Sequence, residues 1–143
     1  MKAQNAIRFL ITAIFLAAFS AAAQAGEKMQ VVYHVADADK VNFALNNMRN
    51  HIKGVGGPEN VELVLVVHGP GLKRFHDIQA TDKLRKMVSG LQDLGVEFDA
   101  CGNTMRAQQV QTDDLIPGMI RVDQGGVVRI AELQQQGYLY IRP

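Results

Sequence analysis

The chain has 143 residues, and its 15 lysines and arginines against 14 aspartates and glutamates give a formal net charge of +1. This near balance leaves no electrostatic footprint for nucleic acid or for an anionic membrane surface. The single cysteine excludes an internal disulfide and any structural zinc site that needs several thiolates. A hydrophobic core must therefore supply the stability.

The first 25 residues have the three-part layout of a secretory signal peptide. Lys2 and Arg8 give a positive start, residues 9–19 form an apolar run, and small residues ending at Ala25 suit a signal peptidase. The apolar run is shorter than the roughly 20 residues of a membrane span. We therefore expect cleavage near Ala25, export to the periplasm, and one domain, 26–143, without membrane attachment. The alternative is an uncleaved amino-terminal anchor.

The mature chain begins with a β-branched and aromatic run, residues 29–35, which predicts a first strand. Apolar residues then recur at helical spacing over residues 41–52, and Asp37 or Asp39 is placed to cap that helix. The run 61–67 is almost continuously apolar. It predicts a central strand that is covered on both faces of a sheet.

A loop is predicted over residues 69–80, after the second strand. Thr81 is placed to cap a second helix with apolar residues on one face over 84–94. A third strand follows at residues 96–100, and a short, weakly amphipathic helix at 103–110.

The pattern continues with a fourth strand at residues 119–122, a fourth helix at 127–134 and a fifth strand at 138–141. Strict alternation of strands and helices implies parallel strands joined by right-handed crossovers. We therefore predict an α/β fold, a three-layer sandwich with a five-stranded, mainly parallel sheet and helices on both faces.

Reactive side chains fall at the carboxyl ends of three predicted strands, the edge at which open α/β sheets bind ligands. His34 lies near the end of the first strand, His68 ends the second and Cys101 ends the third. Cys101 also precedes a helix, whose unpaired N–H groups and dipole favour a thiolate. Asp99 would raise the thiol pKa if its carboxylate pointed the same way. The alternative is an inert, buried thiol.

We expect a second group of residues to bind a substrate anion beside the cysteine. The candidates are His34, His68, Lys73, Arg74, His76, Gly102 and Asn103. Alternatively, the histidines bond neighbouring carbonyls, and the two loop cations form a solvated face. No glycine-rich phosphate loop follows the first strand, so we expect no flavin or dinucleotide cofactor.

A metal or redox-sensing site is a further alternative. It would be built from His34, His68, His76 and Cys101, whose side chains suit soft or borderline metals. Their spacing carries no metal-binding signature, so no metal is predicted.

Three segments of the chain resemble the DsrE/DsrF-like family: residues 99–105 around the cysteine, residues 114–118, and residues 126–143 at the carboxyl end. The resemblance implies a flavodoxin-like fold without flavin, homotrimers or homohexamers, and a role in sulfur relay. Better-known members carry sulfur as a persulfide on one cysteine, which corresponds to Cys101, and pass it to a partner protein.

The leading prediction is a periplasmic protein that binds or transfers sulfane sulfur on Cys101, with a sulfur donor or acceptor protein as partner. A lone thiol suits such a carrier because a resolving cysteine would strip the persulfide as a disulfide. The alternative is a non-catalytic oligomeric binding module with a structural cysteine. The apolar residues 138–141 are expected to contact a neighbouring subunit.

Overall fold

The computed structural model describes residues 28–143, and the predicted signal peptide lies outside the described residues. The strands are β1 (Met29–Val35), β2 (Val61–Val67), β3 (Glu97–Cys101), β4 (Ile120–Val122) and β5 (Leu139–Ile141). They form one five-stranded sheet in the order β4-β3-β2-β1-β5, and every neighbouring pair is parallel. The predicted α/β fold with a parallel five-stranded sheet is confirmed.

The helices are α1 (Val41–Gly54), α2 (Gly69–Leu72), α3 (Asp82–Gln92), α4 (Gly102–Gln108) and α5 (Gly126–Gln135). From β1 to β4 the chain steps across the sheet in one direction, and the return to β5 reverses it. Right-handed crossovers therefore place α1 and α3 on one face and α5 on the other. The helix after β4 thus covers the sheet face opposite to the first two long helices.

Two apolar clusters fill the space on either side of the sheet. The larger one joins α1 and α3 to alternate residues of the strands, including Leu63 and Phe98. The smaller one joins Ile130 and Leu133 of α5 to residues of β1 and β2. Every residue of β2 except Glu62 is buried, as expected for a central strand with a helical layer on each face.

Two local predictions are wrong. The segment predicted as a loop begins with α2 and a 3₁₀ turn, Lys73–Phe75. Pro70 suits the first turn of α2, where its missing N–H would have no helical partner. In the described part of the chain, Asp37 makes no capping hydrogen bond, because a 3₁₀ turn, Ala38–Lys40, separates it from α1.

The cap predicted for α3 is confirmed. The Thr81 hydroxyl accepts a hydrogen bond from the Leu84 N–H at 3.2 Å. No helix within residues 28–143 has the length and apolar character that crossing a bilayer requires.

Candidate functional site

Four side chains, each at or directly after a different strand, lie on the α5 face of the sheet near its carboxyl edge. His34 pairs with Val66, and Ala100 pairs with Val67, so His68 and Cys101 follow side by side on neighbouring strands. Because side chains alternate along a strand, His34, His68 and Cys101 share one face. Tyr140 of β5 joins them, since its hydroxyl lies 2.7 Å from His34 Nδ1. The sheet therefore brings together three of the predicted site residues.

Cys101 ends β3, precedes α4 and is 5% exposed. Among the described residues its side chain makes no helix-capping hydrogen bond of ordinary geometry. Burial raises the pKa of the thiol, but favourable interactions of the thiolate with the nearby Thr104 hydroxyl and with the N–H groups of Gly126, Thr104 and Asn103 outweigh it. The net pKa of Cys101 lies below the ordinary value. The thiol is therefore buried and yet predisposed to ionise.

The Thr104 hydroxyl is oriented by its second hydrogen bond. Its Oγ1 accepts from the Gly69 N–H at 3.0 Å. A hydroxyl that accepts from this N–H is free to direct its own proton at the sulfur of Cys101. The turn that starts α2 thus supports the thiolate through Thr104.

The amino end of α5 approaches the cysteine closely because residue 126 is glycine. A Cβ at Gly126 would lie 3.2 Å from the Cβ of Cys101, 3.3 Å from Val66 Cγ1 and 3.5 Å from His68 Cβ. The preceding Gly125 has φ +96°, a conformation that side-chain-bearing residues rarely adopt. This glycine pair lets a backbone N–H reach the buried sulfur.

His34 and His68 form a stacked pair whose Nε2 atoms are 2.6 Å apart, with ring centroids 4.7 Å apart. Burial, the neighbouring His68 and Arg142 lower the pKa of His34 to about 4, although Asp37 opposes the shift. Burial and Arg142 also lower the pKa of His68. Both rings are therefore neutral at neutral pH. Both nitrogens of His34 are engaged, Nε2 with His68 and Nδ1 with Tyr140. Among the described residues only His68 Nδ1 is left, so an anion would meet one ring N–H rather than a positive charge.

A buried ion pair lies two residues before the cysteine. Asp99 is fully buried, and its Oδ2 accepts a hydrogen bond from Arg129 Nε at 2.7 Å. Arg129 Nη2 also donates to Glu97 Oε1 at 2.8 Å. Burial raises the pKa of Asp99 to about 6 even though Arg129 acts in the opposite direction. Asp99 shares the sheet face with Cys101, but Arg129 compensates its charge.

The remaining predicted site residues lie outside the group formed by His34, His68, Cys101 and Tyr140. His76 is buried, and its Nε2 lies 2.7 Å from Gln108 Oε1. Gln108 Nε2 donates to the Gly69 carbonyl, so this histidine ties the segment after β2 to α4. Residues 28–143 contain no group of three or more histidine, cysteine, aspartate or glutamate side chains that could hold a metal ion. The four-residue metal site considered from the sequence is therefore not assembled.

Lys73 and Asn103 line a shallow cleft of about 370 Å³ between α2 and α4, which also includes Thr104. Arg74 is half-buried, and its Nε finds no hydrogen-bond partner among the described residues. Gly102 is buried, and a Cβ there would lie 2.9 Å from the Val122 carbonyl. Of the two residues that follow the cysteine, Asn103 directs its N–H at the thiolate. Gly102 has no side chain and so allows the start of α4 to pack closely against β4.

Sequence reasoning missed Thr104, Gly126, Arg129 and Tyr140. Thr104 carries a local signal, since the third residue after a helix cap faces the capping side chain. Gly126 follows another glycine at a predicted turn, which also marks a close backbone approach. Arg129 and Tyr140 carry no local signal, because their partners lie on strands distant in sequence.

The fold and the site define an α/β protein with one buried cysteine, of lowered pKa, at the carboxyl edge of a parallel sheet. The model of the DsrE/DsrF-like family matches residues 12–143, and the chain belongs to this family, which is associated with sulfur relay. The predicted family is confirmed.

Solved structures that are similar to this chain include the following two. The protein of unknown function MTH1491 from Methanobacterium thermoautotrophicum is 31% identical with a TM-score of 0.70, over 81% of this chain and 100% of that one. The ychN protein from E. coli is 19% identical with a TM-score of 0.60, over 80% of this chain and 100% of that one, a likeness in fold alone. The comparison with curated proteins gives no match.

The Thr104 hydroxyl is expected to contribute directly to the acidity of Cys101. Thr104→Val keeps the side-chain shape but removes the donor, so the thiol pKa should rise by about one unit. Thr104→Ser keeps the hydroxyl and serves as the control. The ultraviolet absorbance of the thiolate, titrated against pH, measures both. Equal thiol pKa values in the two variants would contradict this role.

Asp99 is expected to make stability fall as pH rises from about 4 to about 6. The pKa of Asp99 is higher in the folded than in the unfolded protein, so the folded state binds the proton more tightly. The stability that this proton contributes is lost as the carboxyl ionises. Asp99→Asn removes this titration. Denaturant unfolding of both proteins across this pH range should therefore show wild type losing stability relative to the variant, and a constant difference would refute the expectation.

Proposed function

We propose that this protein binds sulfane sulfur as a persulfide on Cys101 and passes it to an acceptor. The observation that carries the proposal is the lowered pKa of a solitary thiol surrounded by hydrogen-bond donors. The thiolate is the nucleophilic form of cysteine, so a lowered pKa increases the reactive fraction near neutral pH. Membership of a family associated with sulfur relay supports the same chemistry.

Loading proceeds by attack of the Cys101 thiolate on a sulfane sulfur of a polysulfide anion. A new S–S bond forms on Cys101, the S–S bond of the donor breaks, and its electron pair leaves on the shortened sulfide. In release, an acceptor thiolate attacks the outer sulfur and Cys101 departs as a thiolate. Neither step needs an external oxidant, because the transferred sulfur arrives at the sulfane oxidation level.

The donors around Cys101 serve both steps. N–H groups from Asn103, Thr104 and Gly126 favour the anion that attacks and later the same anion as it leaves. Gly126 borders Cys101 and His68 alike. A sulfur added to Cys101 would therefore lie near the neutral His68, whose Nδ1 is the one ring nitrogen of the pair without a partner among the described residues and can donate an N–H to it.

The low exposure of the thiol restricts the sulfur donors that can react with it. Cys101 is 5% exposed, and Gly126 packs directly against it. A bulky reagent cannot surround such a sulfur, whereas a short polysulfide anion presents a single terminal atom. The proposed substrates are therefore small hydropolysulfides, with a larger partner acting only where it brings one sulfur to the edge of the sheet.

The same burial favours a second candidate function. A free cysteine often acts as a small apolar residue in a core. In that case the protein is a non-catalytic oligomeric binding module, and Cys101 only fills space between β3, α4 and α5. The two functions differ in whether the native thiol reacts.

Location and assembly complete the proposal. The signal-like residues 1–25 support export, and we place the mature protein in the periplasm. Leu139 and Tyr140 are 58% and 42% exposed on β5, a strand at the edge of the sheet. Exposed apolar side chains on an edge strand favour contact with another subunit. We propose a homotrimer or homohexamer.

Persulfide loading is tested on mature protein, residues 26–143, incubated with inorganic polysulfide. Intact mass is expected to increase by one or more sulfur atoms on wild type and not on Cys101→Ser. A small alkylating reagent should react with the native thiol, and a bulky maleimide should react much more slowly. Absence of added sulfur on wild type, together with labelling only after denaturation, would establish the structural alternative instead.

Assembly is tested by light scattering at micromolar concentration. Wild type is expected to be a trimer or hexamer, and Leu139→Arg should shift it towards monomer by placing a charge in the contact. Ile78→Arg is the matched control, because Ile78 is 94% exposed and lies outside β5. Monomeric wild type, or an equal effect of both substitutions, would contradict the assigned surface.

A further inference from the structure

Arg129 joins α5 to the strand that carries the cysteine. Its guanidinium donates from Nε to Asp99 at 2.7 Å and from Nη2 to Glu97 at 2.8 Å. The arginine side chain is 22% exposed and that of Asp99 is 1% exposed, so the contact is largely shielded from water. Two separate hydrogen bonds from one planar guanidinium fix its orientation relative to β3 as well as its distance from the strand.

The register of this contact places the amino end of α5 at the cysteine. Glu97, Asp99 and Cys101 are alternate residues of β3 and therefore share one face. Gly126 and Arg129 are three apart on α5 and share one side of the helix. With Arg129 held over Asp99, the preceding turn lies over Cys101, where a Cβ on Gly126 would be 3.2 Å from the cysteine Cβ.

The Gly125 N–H donates to the Val122 carbonyl at 3.1 Å, which ties the turn before α5 to β4. The apolar contacts of α5 restrain its register only weakly. Its apolar cluster with the sheet is the smaller of the two, and the helix contributes Ile130 and Leu133 to it. Val127 and Val128, in the first turn, are 70% and 47% exposed. Apolar packing of this kind resists separation but has little directional preference. The hydrogen bonds of Arg129 therefore fix the position of α5 along β3, which apolar packing alone does not fix.

We propose that Arg129, through Asp99 and Glu97, is a positioning residue that keeps the amino end of α5 on the sulfur of Cys101 and so controls its ionisation. This role goes beyond the proposed function, because it concerns the thiol itself whether or not sulfur is transferred. It also gives the buried ion pair a purpose that stability does not require, since apolar residues often replace such pairs without loss.

A purely electrostatic role and a positioning role predict different changes in the thiol pKa when residues of this cluster are substituted. If Glu97 acted only through its charge, Glu97→Ala would remove a negative group and lower the thiol pKa. If it anchors Arg129, Glu97→Ala loosens α5, withdraws the Gly126 N–H and raises the thiol pKa. Arg129→Lys keeps the positive charge but cannot bond both carboxylates as a fork, so only the positioning role predicts a change.

The test measures the thiol pKa of mature protein by thiolate absorbance for Arg129→Lys, Glu97→Ala and Glu97→Gln. We expect the first two to raise it by about half a unit or more, roughly a threefold loss of thiolate below the pKa. Glu97→Gln retains an acceptor without charge and should lie closer to wild type than Glu97→Ala. Arg85→Lys, in an ion pair on the opposite face of the sheet, is the control and should leave the thiol pKa unchanged.

Unchanged thiol pKa in Arg129→Lys, or a lowered value in Glu97→Ala, would overturn the proposal. Denaturant unfolding accompanies each titration, and Glu97→Ala keeps the test decisive if Arg129→Lys fails to fold, because Glu97 is half-exposed. The readout is independent of sulfur loading. A response of the thiol pKa without persulfide formation would therefore refute the proposed function alone.

Discussion

Close packing of a helix end against a strand end is the contact on which the site depends. Gly126 lies where any side chain would meet the Cβ of Cys101 at 3.2 Å and Val66 at 3.3 Å. Because the position carries no side chain, its N–H reaches a sulfur that solvent scarcely reaches. The amide groups of α4 complete the surroundings from the other side. The properties of the thiol thus arise from the Thr104 hydroxyl and from backbone N–H groups, which two helices bring together.

Two buried acids on one strand show why the number of donors matters. Asp99 and Cys101 are two residues apart, and burial disfavours the charged form of both. Arg129 does not overcome burial at Asp99, so that pKa is raised. At Cys101 a hydroxyl and several N–H groups act together, so that pKa is lowered. The His34–His68 pair is a third case, in which burial and the nearby Arg142 lower both pKa values and leave both rings neutral.

The fold follows from the sequence to a large extent. The predicted bounds of β1 and β2 agree with the structure, because runs rich in valine with leucine or tyrosine favour strands. The alternation of strands and helices determines the parallel sheet. The exceptions are short: α2 starts within the predicted loop, since Pro70 is compatible with a helical first turn. Burial of Leu72 then stabilises a turn that local preference alone would not hold.

The sequence by itself determined that His68 and Cys101 stand at the ends of the second and third strands, because strand ends are marked by where apolar runs stop. Only the tertiary structure decided which side chains meet there. The sheet order puts β5 beside β1, so Tyr140 meets His34 across 106 positions. His76, in the segment that follows α2, is instead bonded to Gln108 of α4. Such pairings depend on strand order and on the faces that helices cover, and these are set by packing of the whole chain rather than by any local pattern.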